Sequence, residues 1–181
     1  MEDEYDEETE YLDQFRLAPS EPEPSLHQAV RNHELTRIQE ILSGDIRINT
    51  IYFPNTALGV AATIGDSEAV SLLLNYGANP DLCDEVPPLM AAVLGGHEAI
   101  VRRLLEAGAD PNNAESEFQQ TALLWAVRQG LINIAAILLL YGADPTLPDR
   151  FGKSALYLAQ ERGDEVIITI LQRAMSPDSI D

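Results

Sequence analysis

The heptapeptide NYGANPD at residues 75–81 returns as EAGADPN at 106–112 and as LYGADPT at 140–146. Its glycines, Gly77, Gly108 and Gly142, stand 31 and 34 residues apart. A period of that size restricts a chain to repeat architectures, in which one small unit is copied and stacked on itself. The rest of each copy keeps the register. TALGVAATIGD starts at Thr56, PPLMAAVLGGH at Pro87, TALLWAVRQGL at Thr121 and SALYLAQERGD at Ser154. A weaker copy, PSLHQAVRNHE, starts at Pro24, so the five starts are separated by 32, 31, 34 and 33 residues.

Each copy predicts two short helices. The first is thin and rich in alanine, as in Ala57, Leu58, Ala61 and Ala62, and small side chains let helices approach closely. A glycine ends it nine residues after each start: Gly65, Gly96, Gly130 and Gly163. The second helix carries one apolar stripe at i, i+3 and i+4. The stripe reads Val70, Leu73, Leu74, then Val101, Leu104, Leu105, then Ala135, Leu138, Leu139. Gly77, Gly108 and Gly142 fall just past it, where a left-handed cap is wanted. Asn79, Asp110 and Asp144 suit the turn that follows, and Pro80, Pro111 and Pro145 keep the chain extended. One helix pair cannot bury its own stripe, so the copies must stack.

These residues resemble the ankyrin repeat. TALGVAATIGDSEAVSLLLNYGANPD and PPLMAAVLGGHEAIVRRLLEAGADPN are similar to that family's T-P-L-H-x-A-A, G-H and L-L-x-x-G-A-D-x-N pattern. The resemblance implies an all-α solenoid of helix pairs joined by β-hairpin-like fingers, with the first helices lining a concave face. It places the repeat domain at 24–174, between an acidic tail at 1–23, expected to be disordered, and a short C-terminal tail at 175–181. Departures from the pattern are local. The T-P-L-H histidine survives as His27, while Gly59, Met90, Leu124 and Tyr157 replace it elsewhere. His33 stands where copy one should have its glycine. Copy one ends irregularly in ILSGDIRINT, residues 113–120 (NAESEFQQ) lengthen a finger, and copy five stops near Ala174.

Composition excludes several functions. The net charge is −19, and residues 1–24 alone hold ten acids against one base, Arg16. Nucleic acids and anionic membranes select for Lys and Arg, so neither is the expected partner. No apolar run reaches the ~20 residues of a membrane span. A lone cysteine, Cys83, permits no internal disulfide, which suits an intracellular protein of cytoplasm or nucleus. No enzyme signature emerges. His27 and His97 sit where the repeat uses histidine structurally, Cys83 has no CxxC mate, and LGGH at 94–97 lacks the ending of a phosphate loop. No metal, cofactor or small-molecule substrate is expected.

By resemblance, recognition falls to the finger tips and to two positions before each inter-helix glycine. Copies two and three offer Tyr52, Phe53, Ile64, Val86 and Leu94. Copies four and five offer Phe118, Arg128, Gln129, Arg150, Lys153 and Arg162, with Phe151 beside them. Apolar anchors next to arginines are typical of interface hot spots. The competing reading is that finger aromatics pack on neighbouring fingers and the charges are solvated. Trp125 replaces a core leucine and should be largely buried.

Two residues are candidates for modification. Asn112 follows Leu105 by seven residues, the pattern in which the family's hairpin asparagine can be an asparaginyl hydroxylase substrate; a structural role competes. Ser176 precedes Pro177, a weak proline-directed phosphorylation pattern. The expected function is a scaffold, adaptor or stoichiometric inhibitor that binds another protein, with the chain itself a monomer. The alternative is an acidic chaperone or charge mimic for a basic protein of ribosomal or histone type. In the tail, Tyr11, Leu12 and Phe15 form a linear motif for a basic partner or for the chain's own basic patch, or else the tail only solubilises.

Overall fold

The computed structural model describes residues 25–52, 55–83 and 85–176. The acidic tail, Phe53 and residues 177–181 lie outside the described residues. Among the described residues ten helices form five pairs: α1 (Ser25–Arg31) and α2 (Leu35–Leu42), α3 (Ala57–Ile64) and α4 (Ser67–Asn75), α5 (Pro88–Leu94) and α6 (Glu98–Glu106), α7 (Ala122–Gln129) and α8 (Ile132–Leu140), α9 (Ala155–Arg162) and α10 (Glu165–Ala174). First helices pack on first helices, α1 on α3 on α5 on α7 on α9, and second helices form a parallel row from α2 to α10. The all-α stack of helix pairs expected from the period is therefore the observed architecture. Among the described residues, extended pairing is confined to the two-stranded ribbon β1 (Ile51–Tyr52) and β2 (Asn55–Thr56) and a bridge between Ala114 and Thr121.

Local sequence sets the helix ends. Thr56, Thr121 and Ser154 are N-caps whose hydroxyls accept from the backbone N–H three residues on, at 3.1, 3.3 and 3.4 Å. Copy three has Pro87 there and starts α5 with Pro88, whose missing N–H costs nothing in the first turn. The second helices α4 and α10 are capped by Asp66 and Asp164. At their far ends Gly77, Gly108 and Gly142 adopt φ of 89, 90 and 89°. In each case the glycine and the alanine after it donate back to the helix, for example Gly77 to Leu74 O and Ala78 to Leu73 O, both at 3.0 Å. In copy one, His33 takes φ 56° where the other copies use glycine, and its Nδ1 lies 2.9 Å from Asp66 Oδ2.

Of the predicted stripes, Val70, Leu73, Val101, Leu104, Leu105, Ala135 and Leu138 are core, while Leu74 and Leu139 are half-buried against it. Leu58, Leu89 and Leu123 of the first helices and Leu73, Leu104, Leu138 and Leu171 of the second helices are all under 2% exposed. Full burial of one such side chain stabilises by about 1.5–3 kcal/mol. The alanines Ala61, Ala62 and Ala126 are fully buried between first helices, which explains their size. Trp125 is half-buried against this core.

Hairpins are linked from copy to copy by a side-chain ladder. Asn49, Asp81 and Asn112 each accept from the N–H of the turn residue one copy on: Asn79, Asp110 and Asp144, at 2.8, 2.9 and 2.7 Å. The turn residues in turn accept from the N–H two positions ahead, at 3.0, 2.8 and 2.8 Å. Asn49 belongs to the irregular end of copy one, so even that copy supplies the rung.

Candidate functional site

The last two fingers are ordered by buried carboxylates. Asp149 Oδ1 accepts from the N–H of Phe151 and of Lys153, both at 2.9 Å, and its Oδ2 lies 3.3 Å from Arg128 Nη2. The Asp149 side chain is fully buried while that of Arg128 is 37% exposed. In the lengthened finger, Glu115 accepts from Phe118 and Gln120 on Oε1 (2.7 and 3.1 Å) and from Glu117 on Oε2 (2.8 Å). These bonds aim the finger tips at each other. Phe118 and Phe151 stack at 6.4 Å and 30°, and the Arg150 guanidinium lies 5.9 Å from both rings. Arg150 also donates from Nη1 to Glu117 O at 3.0 Å and from its backbone N–H to Phe118 O at 2.9 Å.

Between this finger and the ends of α7 and α9 lies a cleft of about 480 Å³, lined by Arg128, Asp149, Phe151, Lys153, Leu158, Glu161 and Arg162. Leu158 and Asp149 are its buried floor, and Phe151, 66% exposed, is its rim. Lys153 pairs with Glu161 at 3.2 Å and sits 5.1 Å from the centre of the Tyr157 ring. Arg162 donates to Arg128 O at 2.7 Å, and its guanidinium lies where a side chain at Gly130 would stand. Among the described residues, Arg162 and Arg150 have no carboxylate within ion-pair distance. Arg128 Nε, which is buried, has no hydrogen-bond partner among the described residues.

The structure thus brings Arg128, Lys153 and Arg162 into one cleft and sets Arg150 and Phe118 on the adjoining tip. Gln129 is exposed at the end of α7. The expected anchors of copies two and three do not line this cleft. Leu94 is 44% exposed at the end of α5, whereas Ile64 and Val86 are half-buried against the core. Tyr52 meets His27 edge-on, with ring centres 6.0 Å apart. Glu161 holds one of the two positions before Gly163 that the sequence marks for recognition. Asp149 and Leu158 were not found, because no spacing rule joins a finger acid to a base 21 residues earlier or marks a buried leucine as a cleft floor.

The other singled-out residues have structural partners. His27 Nε2 lies 3.2 Å from Asn55 O and His97 Nε2 3.3 Å from Thr63 O. The Asn112 amide spans two hairpins, accepting from Asp144 N–H and donating to Gly142 O at 3.3 Å. Ser176 donates to Gln172 O at 2.9 Å. Burial pushes the Asp81 carboxyl above the usual aspartate value, and the charge of Asp110 adds to the effect. Hydrogen bonds from Thr146 hold Asp144 below it. No group of three or more His, Cys, Asp and Glu among the described residues is placed to hold a metal ion. No helix among them is long and apolar enough to cross a membrane.

Comparison with known proteins agrees with this geometry. The family model for ankyrin repeats (3 copies) matches residues 26–115 and again 108–181. An ankyrin repeat protein of fowlpox virus (strain NVSL) is 40% identical over 89 residues, covering 48% of this chain and 20% of that protein. One from Acanthamoeba polyphaga mimivirus is 32% identical over 99 residues, or 51% of this chain and 60% of that protein. The nuclear factor NF-kappa-B p105 subunit of Gallus gallus is 28% identical over 156 residues, or 82% of this chain and 16% of that protein. The chain spans less than two thirds of each of these relatives. With both family matches covering the helix pairs, the chain belongs to the ankyrin-repeat family.

Proposed function

We propose that this chain binds a segment of a partner protein in the cleft of copies four and five, as a scaffold, adaptor or stoichiometric inhibitor and not as an enzyme. Ankyrin repeats are in general protein-interaction modules, and function on such a scaffold lies on residues the core does not need. The observation that carries the reading is Arg162. It is fixed by a backbone carbonyl at 2.7 Å, lacks a carboxylate partner among the described residues, and faces a cleft whose rim is the exposed ring of Phe151. A guanidinium has five donors, so one held this way keeps several for an incoming acid. The partner segment offers an acidic or phosphorylated residue to Arg162 and an apolar one to Phe151 and Leu158.

The test is capture of partners by the full chain and by Arg162→Glu and Phe151→Ala variants, with folding checked by circular dichroism. Arg128 is left alone, because its loss would leave the buried Asp149 carboxylate without its cation and confound binding with folding. Partners lost from both variants, and kept at high salt on the parent chain, support the cleft. Partners kept by both variants but lost at high salt identify the alternative, an acidic escort of basic proteins.

A further inference from the structure

We propose that the acidic residues 1–24 dock onto the Arg150 finger and the Arg162 cleft, so that the chain carries its own competitor for that site. The inference rests on the cleft being a binding site, and it adds the regulation of that site.

Charge and aromatic complementarity together argue for this surface and this occupant. Arg37, Arg102 and Arg103 are each matched by an acid of the same helical segment: Glu34, Glu98 and Glu106. Arg150 and Arg162 instead rest on the carbonyls of Glu117 and Arg128 and are left with spare donors. Beside them Phe151 and Tyr157 are 66% and 49% exposed, so the surface combines cations with aromatic faces. Residues 1–24 have the matching composition: ten carboxylates, one base, and Tyr11, Leu12 and Phe15 among Glu8, Glu10 and Asp13. Aromatic and leucine side chains there give the cleft apolar contact, and the acids give Arg150 and Arg162 their missing charge.

The connection is long enough. Four interaxial steps of about 8–10 Å lead from α1 to α9, about 32–40 Å in all. Tyr11 precedes Ser25 by fourteen residues, which extended span up to about 46–50 Å. A tethered segment acts at an effective concentration of about millimolar, so even weak docking competes with a free partner.

The chain holds a built-in probe. Lys153 is its one lysine and lines the cleft. Zero-length carbodiimide coupling of the full chain joins the Lys153 amine to any carboxylate held against it, and mass spectrometry locates the amide. Glu161, at 3.2 Å, is the internal control that the amine reacts. The expected result is a second set of amides from Lys153 to carboxylates within residues 1–24. That set is lost in an Arg150→Glu, Arg162→Glu variant and in about 1 M salt, where the screening length is about 3 Å. Coupling to Glu161 alone overturns the proposal. So does a mixed-isotope product from equal parts labelled and unlabelled chain, which puts the tail on a second copy. The binding-site reading fails separately, if Arg162→Glu leaves partner capture unchanged while the tail amides form in the parent chain.

Discussion

Asp81 and Asn112 hold the same rung of the hairpin ladder, and they differ in charge. Both present Oδ1 to the N–H of the next copy's turn residue, at 2.9 and 2.7 Å. Asp81 does so against burial and the nearby charge of Asp110, which together raise its pKa in the folded chain. A carboxyl whose pKa is raised on folding contributes stability below its unfolded pKa and loses it as pH rises through the folded value. Its ionised form is therefore a cost at about pH 7. Asp81→Asn keeps the acceptor and removes that cost. Its melting temperature should exceed the parent's at about pH 7, and the gap should close as pH falls below the ordinary aspartate range. A lower melting temperature at about pH 7 would show that the charge itself is needed. Asn112→Ala tests the ladder from the other side. It strips two hydrogen bonds and should cost about 1–3 kcal/mol in denaturant unfolding. Asn112 and its turn neighbours were legible in the sequence as hairpin residues. The rung at Asn49 was not, because copy one spaces its end differently and only the folded hairpin shows the amide arriving at Asn79.

At the scale of elements, the helices were easier to read than the fingers. Helix ends are local: a hydroxyl or carboxylate at the start and a glycine past the end act within one turn of chain. Fingers are shaped by contacts between copies. Residues 113–120 are visible in the sequence as an insertion, yet nothing in NAESEFQQ says that Glu115 will turn inward and gather three backbone N–H groups. The same holds for Arg128 and Lys153. The sequence puts them on one face, but their acids, Asp149 and Glu161, lie 21 and 8 residues away. That the finger depends on one side chain gives a sharp expectation. Glu115→Ala orphans three N–H groups and should free the finger, with faster hydrogen exchange at Glu117, Phe118 and Gln120. Glu115→Gln keeps one acceptor oxygen and should lose less. Since the finger positions Phe118 against Phe151, both variants should also weaken partner capture, in the same order. Equal exchange in the two variants and the parent would mean that the finger is held by Phe118 and Arg150 instead.

For the whole molecule, stability is a sum along a line. The main contacts of each helix pair are with its neighbours, α7 with α5 and α9, α8 with α6 and α10. A stack of this kind behaves as repeat units plus nearest-neighbour interfaces, so it can open in part. Leu138 tests this, being fully buried in α8 of the fourth copy. Leu138→Ala removes its transfer energy and leaves a cavity, a loss of about 2–5 kcal/mol. In a compact two-state domain that loss would appear in every strongly protected amide. Here it should fall on α7 to α10, because opening copies four and five together leaves copies two and three still stacked. Every 1.4 kcal/mol is about tenfold in exchange, so amides of α7 to α10 should speed up more than about tenfold, while those of α3 and α4 change little. The cleft and the Arg150 finger lie within the opened part, so partner binding should oppose the opening and restore protection there first. Uniform acceleration from α3 to α10 would instead show that the interfaces are strong enough to bind the copies into one cooperative unit, and the site would then share the stability of the whole stack.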